Sequence, residues 1–369
     1  MKAIQWIISA LVAVVIIAAA VGGGVYFTRL KSIHSIRKLT DYENYNLYRM
    51  DIDYAYDLDR LIDRGITDNQ SMINAILAEA LPYLPIHMKA PNFGCSAFCT
   101  QGTDGHTLMG RNYDFKNDTS AMLVYCTPKD GYASVAFAAL DNINANTPDA
   151  SMAKKLATLT APFICLDGMN EKGVSIAVLT LDSDPTYQQT GKPMIATTLA
   201  IRLVLDRAAT TAEAVELLSK YDMFASSGRD YHFYITDASG DGRVLEYDCN
   251  DPACPLTVTP SRSVTNFFVM YKDNVLPNQR NGVYGHGRER YDAIEEILDA
   301  NAGSIDREIA WQALQAASQA PNPKDVTSNT QWSILYDNTA LTAEAVIRRD
   351  WNTKTSYDLV SNVAVTDVG

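Results

Sequence analysis

Gly94-Cys95-Ser96-Ala97-Phe98, followed by Gly110-Arg111-Asn112-Tyr113-Asp114-Phe115, sets one cysteine directly after a glycine, an arginine 16 positions on and an aspartate 19 positions on. Between the two runs, Gly102-Thr103-Asp104-Gly105 is a turn signal. The pattern predicts strand, hairpin, strand. Paired antiparallel, the two strands bring together a nucleophile, a cation and a carboxylate, the minimum set for attack on a carbonyl. An ideal strand puts Arg111 and Asp114 on opposite faces, so a bulge or a strand end has to lie between them. Taken alone the Gly-Cys pair is a weak signal, because free cysteines are among the most buried residue types.

Working outward toward the C-terminus, turn signals alternate with short apolar runs: Lys129-Asp130-Gly131, Asn170 to Gly173, Ser239-Gly240-Asp241-Gly242 and Asp337-Asn338. Helical blocks sit between them at Met194 to Tyr221, Glu289 to Ala302 and Ile305 to Ala317. Strand groups separated by helix pairs predict an α+β fold in layers.

Toward the N-terminus, Thr67 with Gln70 forms a capping box for a helix whose apolar positions run from Met72 to Leu81 and which Pro82 and Pro85 end. Before it, Met50, Ile52, Tyr54, Tyr56 and Leu58 alternate with Asp51, Asp53, Asp57 and Asp59, the pattern of a half-exposed strand, with Tyr42, Tyr45 and Tyr48 as a helical approach. Ile4 to Phe27 is largely apolar and carries no charge, long enough to cross a hydrocarbon core of about 30 Å. It reads as a retained anchor or as a signal peptide cut near Ala18-Ala19-Ala20; the apolar run continues past the small residues, which favours the anchor. Arg29, Lys31, Arg37 and Lys38 follow the span, which would keep the domain cytoplasmic, whereas the very short N-terminal tail points outward. The expected organisation is residues 1–30 as anchor or signal segment, 31–94 as a leader of one strand plus an amphipathic helix, and 95–369 as the catalytic domain, membrane-anchored and extracytoplasmic.

A net charge of −12 over 369 residues argues against nucleic acid, which needs clustered Lys and Arg. The cysteines at 95, 99, 126, 165, 249 and 254 form no CxxC pair and no zinc spacing, so no metal or cofactor is expected. Cys249 and Cys254 could close a small disulfide loop in an exported domain.

GCSAF and GHTLMGRNYDF resemble the start of the catalytic chain in the choloylglycine hydrolase and penicillin V acylase family of N-terminal-nucleophile amidases. Asp167-Gly168-Met169-Asn170-Glu171-Lys172-Gly173 matches that family's DGMNEKG hairpin residue for residue. Val264-Thr265-Asn266 resembles its oxyanion-hole segment, Gly287-Arg288-Glu289-Arg290-Tyr291 its second arginine segment, and Thr330-Gln331-Trp332-Ser333 its C-terminal strand. The long stretch before Cys95 is closer to the small N-terminal subunit of the related acid ceramidase and N-acylethanolamine acid amidase group. The resemblance implies a four-layer αββα N-terminal-nucleophile hydrolase fold, with two antiparallel sheets between helical layers, preceded here by the membrane span.

It also implies roles. Cys95 is the nucleophile, and cleavage at Gly94-Cys95 would free an α-amine, ordinarily of pKa about 7.7–8, to serve as its base. Arg111 holds the thiolate and Asp114 orients the amine. Asn266 donates to the tetrahedral oxyanion, with a second donor at Thr180 and with Asn170 shaping the hairpin or lining the site. Arg288 is taken over Arg290 as the second arginine. The expected substrate is a small-molecule N-acyl amide: a conjugated bile acid, a penicillin V-like compound or an N-acyl lipid amide. Two alternatives stand beside this reading: a papain-type enzyme with His232 or His286 against Cys95, and a non-processed membrane-tethered binding module of the same fold.

Overall fold

The computed structural model describes residues 22–82, 84, 94–115, 118–280, 282–324 and 328–368. Most of the apolar run from Ile4 lies outside them. Residues 22–34 are helical, and among the described residues no helix is long and apolar enough to cross a membrane.

The hairpin predicted around Cys95 is present: Gly94–Gln101 pairs antiparallel with Thr107–Asp114, Gly94 opposite Asp114 and Cys95 opposite Tyr113. Both belong to a seven-stranded sheet that runs Ser263–Val264, Gly94–Gln101, Thr107–Asp114, Thr330–Asp337, Thr342–Ile347, Thr353–Asp358, Val363–Val368. A nine-stranded sheet runs Arg37–Lys38, Leu47–Ile52, Ala121–Cys126, Ser134–Ala139, Cys165–Asn170, Ser175–Leu181, Asp230–Thr236, Arg243–Tyr247, Leu256–Pro260. The sheets face one another where Gly94–Gln101 meets Ser175–Leu181. Thr197–Arg207 covers the outer face of the nine-stranded sheet, and the pair Arg288–Ala300 and Arg307–Ala317 covers the seven-stranded one. Helix, sheet, sheet, helix is the layer order expected. Among the described residues, pairing in these two sheets is antiparallel except where Leu47–Ile52 runs parallel to Ala121–Cys126; a separate small sheet pairs Met194–Ala196 parallel with Asp222–Phe224.

Several elements differ from the sequence pattern. The strand expected from Met50 to Leu58 is Leu47–Ile52, and Leu58 opens a short helix because the Asp57 side chain accepts the Arg60 N–H and caps it. Asp57 is thus a cap rather than part of a solvated strand face. The approach through Tyr42 and Tyr45 is not helical; Tyr45 has a positive φ and Tyr48 is already in the strand. The capping box is Asp68 with Ser71, one residue later than Thr67 with Gln70, and the helix runs Asn69–Ala80. The block from Met194 to Tyr221 divides into a short strand, Met194–Ala196, and two helices, Thr197–Arg207 and Thr211–Leu218.

The leader is built into the domain. Leu47, Met50, Ile52, Tyr54, Leu61 and Ile76 are buried in the same core cluster as Cys95, Ala97 and Trp332. A boundary at residue 30 also cuts through packed structure: Arg29 is buried, donates to the carbonyls of Ala80 and Glu79, and stacks over Tyr54.

Candidate active site

Cys95 lies at the start of its strand with no exposed surface. Cβ direction alternates along a strand, so Cys95, Ala97 and their partners Tyr113 and Arg111 share the face toward the nine-stranded sheet. Arg111 crosses the core there. Its Nε is 3.3 Å from Asp167 Oδ2, its Nη1 donates to the Asn112 carbonyl at 2.6 Å and its Nη2 to the Val178 carbonyl at 2.9 Å. Asp167 accepts in addition from Trp332 Nε1 at 3.1 Å and Tyr336 Oη at 2.6 Å. The first residue of DGMNEKG is therefore the partner of the site arginine.

Asn266 closes the other side. Its Oδ1 accepts the backbone N–H of Cys95 at 3.1 Å and Arg290 Nη2 at 2.7 Å, while its Nδ2 donates to the Thr180 carbonyl at 2.9 Å. Arg290 Nη1 donates to the carbonyl oxygen of Cys95 at 2.9 Å and stands 3.5 Å from Asp114 Oδ2. Both peptide groups of Cys95 are thus held by side chains.

The sheet opens where these groups enter. Cys165–Asn170 stays in register with Ser175–Leu181 only from Asp167 to Met169 against Ser175 to Ala177. Past Ala177 the carbonyls of Val178 and Thr180 take side chains, Arg111 and Asn266, as donors. A local end to strand pairing supplies the acceptors that fix two site residues.

Arg290, not Arg288, is the arginine beside Cys95. Arg288 is partly exposed and bonds Asp292 and the Lys272 carbonyl. Helix geometry decides between them. Gly287 precedes the helix at φ 88°, and a Cβ there would lie 2.4 Å from Arg290 Nη2, so a glycine leaves the space through which Arg290 folds back to the cysteine.

Asp114 ends its strand, and the neighbouring strand shifts register between Thr330 and Trp332, so a strand end and an irregularity both occur where one was required. Its carboxylate goes to Thr330 Oγ1 at 2.6 Å, Gln319 Nε2 at 2.9 Å and Arg290. It reaches the cysteine through Arg290 rather than across the strand from Arg111. Thr180 brings a carbonyl acceptor; its hydroxyl is directed to the Leu181 and Asp230 carbonyls. Asn170 is apart from the site, and its side chain instead closes the hairpin, bonding Leu205 O, Ala208 O and the N–H groups of Lys172 and Val174.

Neither histidine bonds the thiol. His232 directs its two ring nitrogens to Glu246 and the Thr265 carbonyl, and His286 Nδ1 meets Asp182 at 2.6 Å. A papain-type pair is therefore not assembled. Burial pushes the Cys95 thiol up to about 12, with Arg111 pulling the other way. Burial also raises Asp114 against the pull of Arg290, and Asp167 against that of Arg111. Cys95 is thus a neutral thiol sealed from solvent.

The family model for linear amide C–N hydrolases, choloylglycine hydrolase family, matches residues 95–251 and so opens on this cysteine. Residues 95–251 are thus similar to the choloylglycine hydrolase family. The chain is accordingly a hydrolase acting on linear amide C–N bonds. Among solved structures, penicillin V acylase from Agrobacterium tumefaciens is similar with a TM-score of 0.53 and 18% identity, over 72% of this chain and 86% of that one. Two variants of conjugated bile acid hydrolase from Clostridium perfringens give 0.55 and 0.54 at 16% identity, over 74% of this chain and 97% of theirs. At these identities the likeness concerns the fold. Asp167 and Arg290 lie inside the quoted motifs and Glu246 outside them, but their contacts near Cys95 and Asn266 come from tertiary structure rather than spacing, so the sequence did not place them in the site.

Proposed function

We propose that this chain matures by cutting itself between Gly94 and Cys95 and then hydrolyses the amide bond of a small N-acyl compound, with Cys95 as nucleophile and its freed α-amine as base. The observation that carries this is the bond from Cys95 N–H to Asn266 Oδ1. The same acceptor is placed to hold the α-amine once the peptide bond is gone. In maturation the thiol attacks the Gly94 carbonyl carbon, the C–N bond breaks as nitrogen takes the proton, and water hydrolyses the resulting thioester. In turnover the amine takes the thiol proton, sulfur bonds the acyl carbon, and the amine's proton goes to the departing nitrogen. Water then releases the acid and restores the thiol.

Arg111 supplies positive charge beside sulfur, which favours the thiolate once cleavage opens the sealed pocket to water. An amide nitrogen carries two hydrogens; Asn266 uses one on Thr180 and keeps the other for a developing oxyanion. The substrate classes that fit are conjugated bile acids, penicillin V-like amides and N-acyl lipid amides, the first two being those named for the similar structures. The uncharged run Ile4–Phe27 would tether the enzyme to a membrane with its catalytic domain outside the cytoplasm. The test is hydrolysis of a glycine-conjugated bile acid, penicillin V and an N-acylethanolamine by wild type and Cys95→Ala. Loss of all turnover in the variant is expected; retention would remove Cys95 from the reaction.

A further inference from the structure

Asn266 lies on the short irregular stretch between the strand Ser263–Val264 and the 3-10 helix Val269–Asn274, and a side chain on such a stretch is held less precisely than one on a helix or strand. Behind it, on two adjacent strands of the facing sheet, stand His232 and Glu246, neither with any exposed surface. His232 Nε2 donates to the Thr265 carbonyl at 3.0 Å, since a carbonyl can only accept, and its Nδ1 is 2.9 Å from Glu246 Oε1. Glu246 in turn accepts the N–H of Val269 at 2.6 Å and of Met270 at 2.9 Å. One imidazole–carboxylate pair therefore grips the chain just before Asn266 and again three and four residues after it.

We propose that His232 and Glu246 are positioning residues that set Asn266 against the nitrogen of Cys95. The inference rests on the reading of Asn266 as a working member of the site. Two observations favour it over a purely structural role. Among the described residues, all four hydrogen bonds of the pair end on the pair itself or on residues 265–270, the segment bearing Asn266. The segment is also fixed from its other side, by Thr265 Oγ1 donating to the Gly287 carbonyl at 2.9 Å and by His286 N–H donating to the Asn266 carbonyl at 2.9 Å. Gly287 is the residue that makes room for Arg290, so the two contacts on Asn266 Oδ1, Cys95 N–H and Arg290, are set from one frame. Displacing a catalytic group by about an ångström can cost roughly a hundredfold in rate.

The test is a double-mutant cycle on the full-length protein with His232→Gln, Asn266→Ala and the two combined, reading kcat, KM and the extent of cleavage at Gly94-Cys95. Glutamine keeps a donor for Thr265; if His232→Gln does not fold, Glu246→Gln, which preserves shape and loses one acceptor, takes its place. The probes are penicillin V, a glycine-conjugated bile acid and an N-acylethanolamine. The expected result is a kcat lower by roughly tenfold to a hundredfold in His232→Gln with KM within about twofold, cleavage slowed in parallel, and little further loss on adding His232→Gln to Asn266→Ala. If the two losses multiply, His232 acts independently of Asn266 and the proposal is wrong. If wild type turns over none of the probes, or Asn266→Ala leaves turnover and cleavage unchanged, the reading of Asn266 fails and the positioning role fails with it.

Discussion

Asp167 lies beneath Arg111 with its carboxylate oxygen 3.3 Å from the guanidinium Nε, and neither residue has any exposed surface. Such a pair is costly to break, because the survivor remains charged and dry. Asp167→Ala is expected to lower stability by about 3–5 kcal/mol and to depress turnover further than the loss of folded protein explains. Urea unfolding and activity per folded molecule measure the two effects separately. An unchanged midpoint would mean that Arg111 finds another counter-charge.

The two arginines of the Gly287 segment separate by contact. Arg290 holds the Cys95 carbonyl and Asn266 Oδ1, whereas Arg288 makes a partly exposed i,i+4 pair with Asp292. Arg290→Ala should lower turnover by roughly a hundredfold, the cost of removing a group that fixes the nucleophile. Arg288→Ala should stay near wild type, with a stability change of about 0.5 kcal/mol or less. Equal losses in both variants would count against this assignment.

Much of this was legible in local sequence. Gly102 to Gly105 set the hairpin, DGMNEKG set the one between Cys165–Asn170 and Ser175–Leu181, and the apolar spacing set the helices at 288–300 and 307–317. What escaped depends on side chains that fold back along the chain or on where a strand pairing stops. Arg290 and Arg288 are equivalent by composition and differ in the helix face they occupy, with Gly287 leaving room beside Arg290. The Met50 to Leu58 alternation reads as a strand until Asp57 caps a helix in its midst. Asn170 and Asp167 stand three apart in one motif, and only the sheet geometry sends one to a turn and the other under Arg111.

Four buried thiols, Cys95, Cys99, Cys126 and Cys165, predict the alkaline behaviour, burial raising each of them. Burial pushes Cys95 up to about 12 and Cys99 and Cys126 up to about 11, against an ordinary value near 9. Above about pH 9 the unfolded chain loses these protons while the native chain keeps them. The native state then binds more protons, so stability falls with rising pH between about 9 and 11, and the thiols contribute no slope below that window. Denaturation midpoints at pH 8, 9.5 and 10.5 should show the fall, and Cys126→Ala should make it shallower. A slope as steep in the variant would place the effect on other groups.

Arg29 fixes where the N-terminal segment can be removed. It caps the end of the helix Asn69–Ala80 through the carbonyls of Ala80 and Glu79 and lies 4.8 Å over the Tyr54 ring. Removing residues 1–21 should leave a folded, active protein. Removing 1–30 takes Arg29 away and should lower stability by about 1.5–3 kcal/mol, the usual worth of hydrogen bonds from a charged group. Arg29→Ala in the full chain should reproduce that loss. If the two truncations melt together, residues 22–30 contribute nothing to the stability of the domain.

Maturation makes the last prediction. If the Gly94-Cys95 bond is cut, the leader retains Leu47–Ile52 as a strand of the nine-stranded sheet, paired with Arg37–Lys38 on one side and Ala121–Cys126 on the other. Leu47, Met50, Ile52, Tyr54, Leu61 and Ile76 stay buried in the common core. Six such side chains represent on the order of 10 kcal/mol of burial, enough to hold the fragments together without a covalent link. Asp59 adds two bonds to Arg207 at 2.8 and 2.7 Å across the same seam. Denaturing mass analysis should therefore give two fragments meeting at Gly94-Cys95, while native size exclusion gives one species. Cys95→Ala should give a single uncut chain. A leader that dissociates on the native column would mean that this strand is exchanged or released on maturation, and a single uncut chain with full activity would mean that some group other than the Cys95 amine is the base.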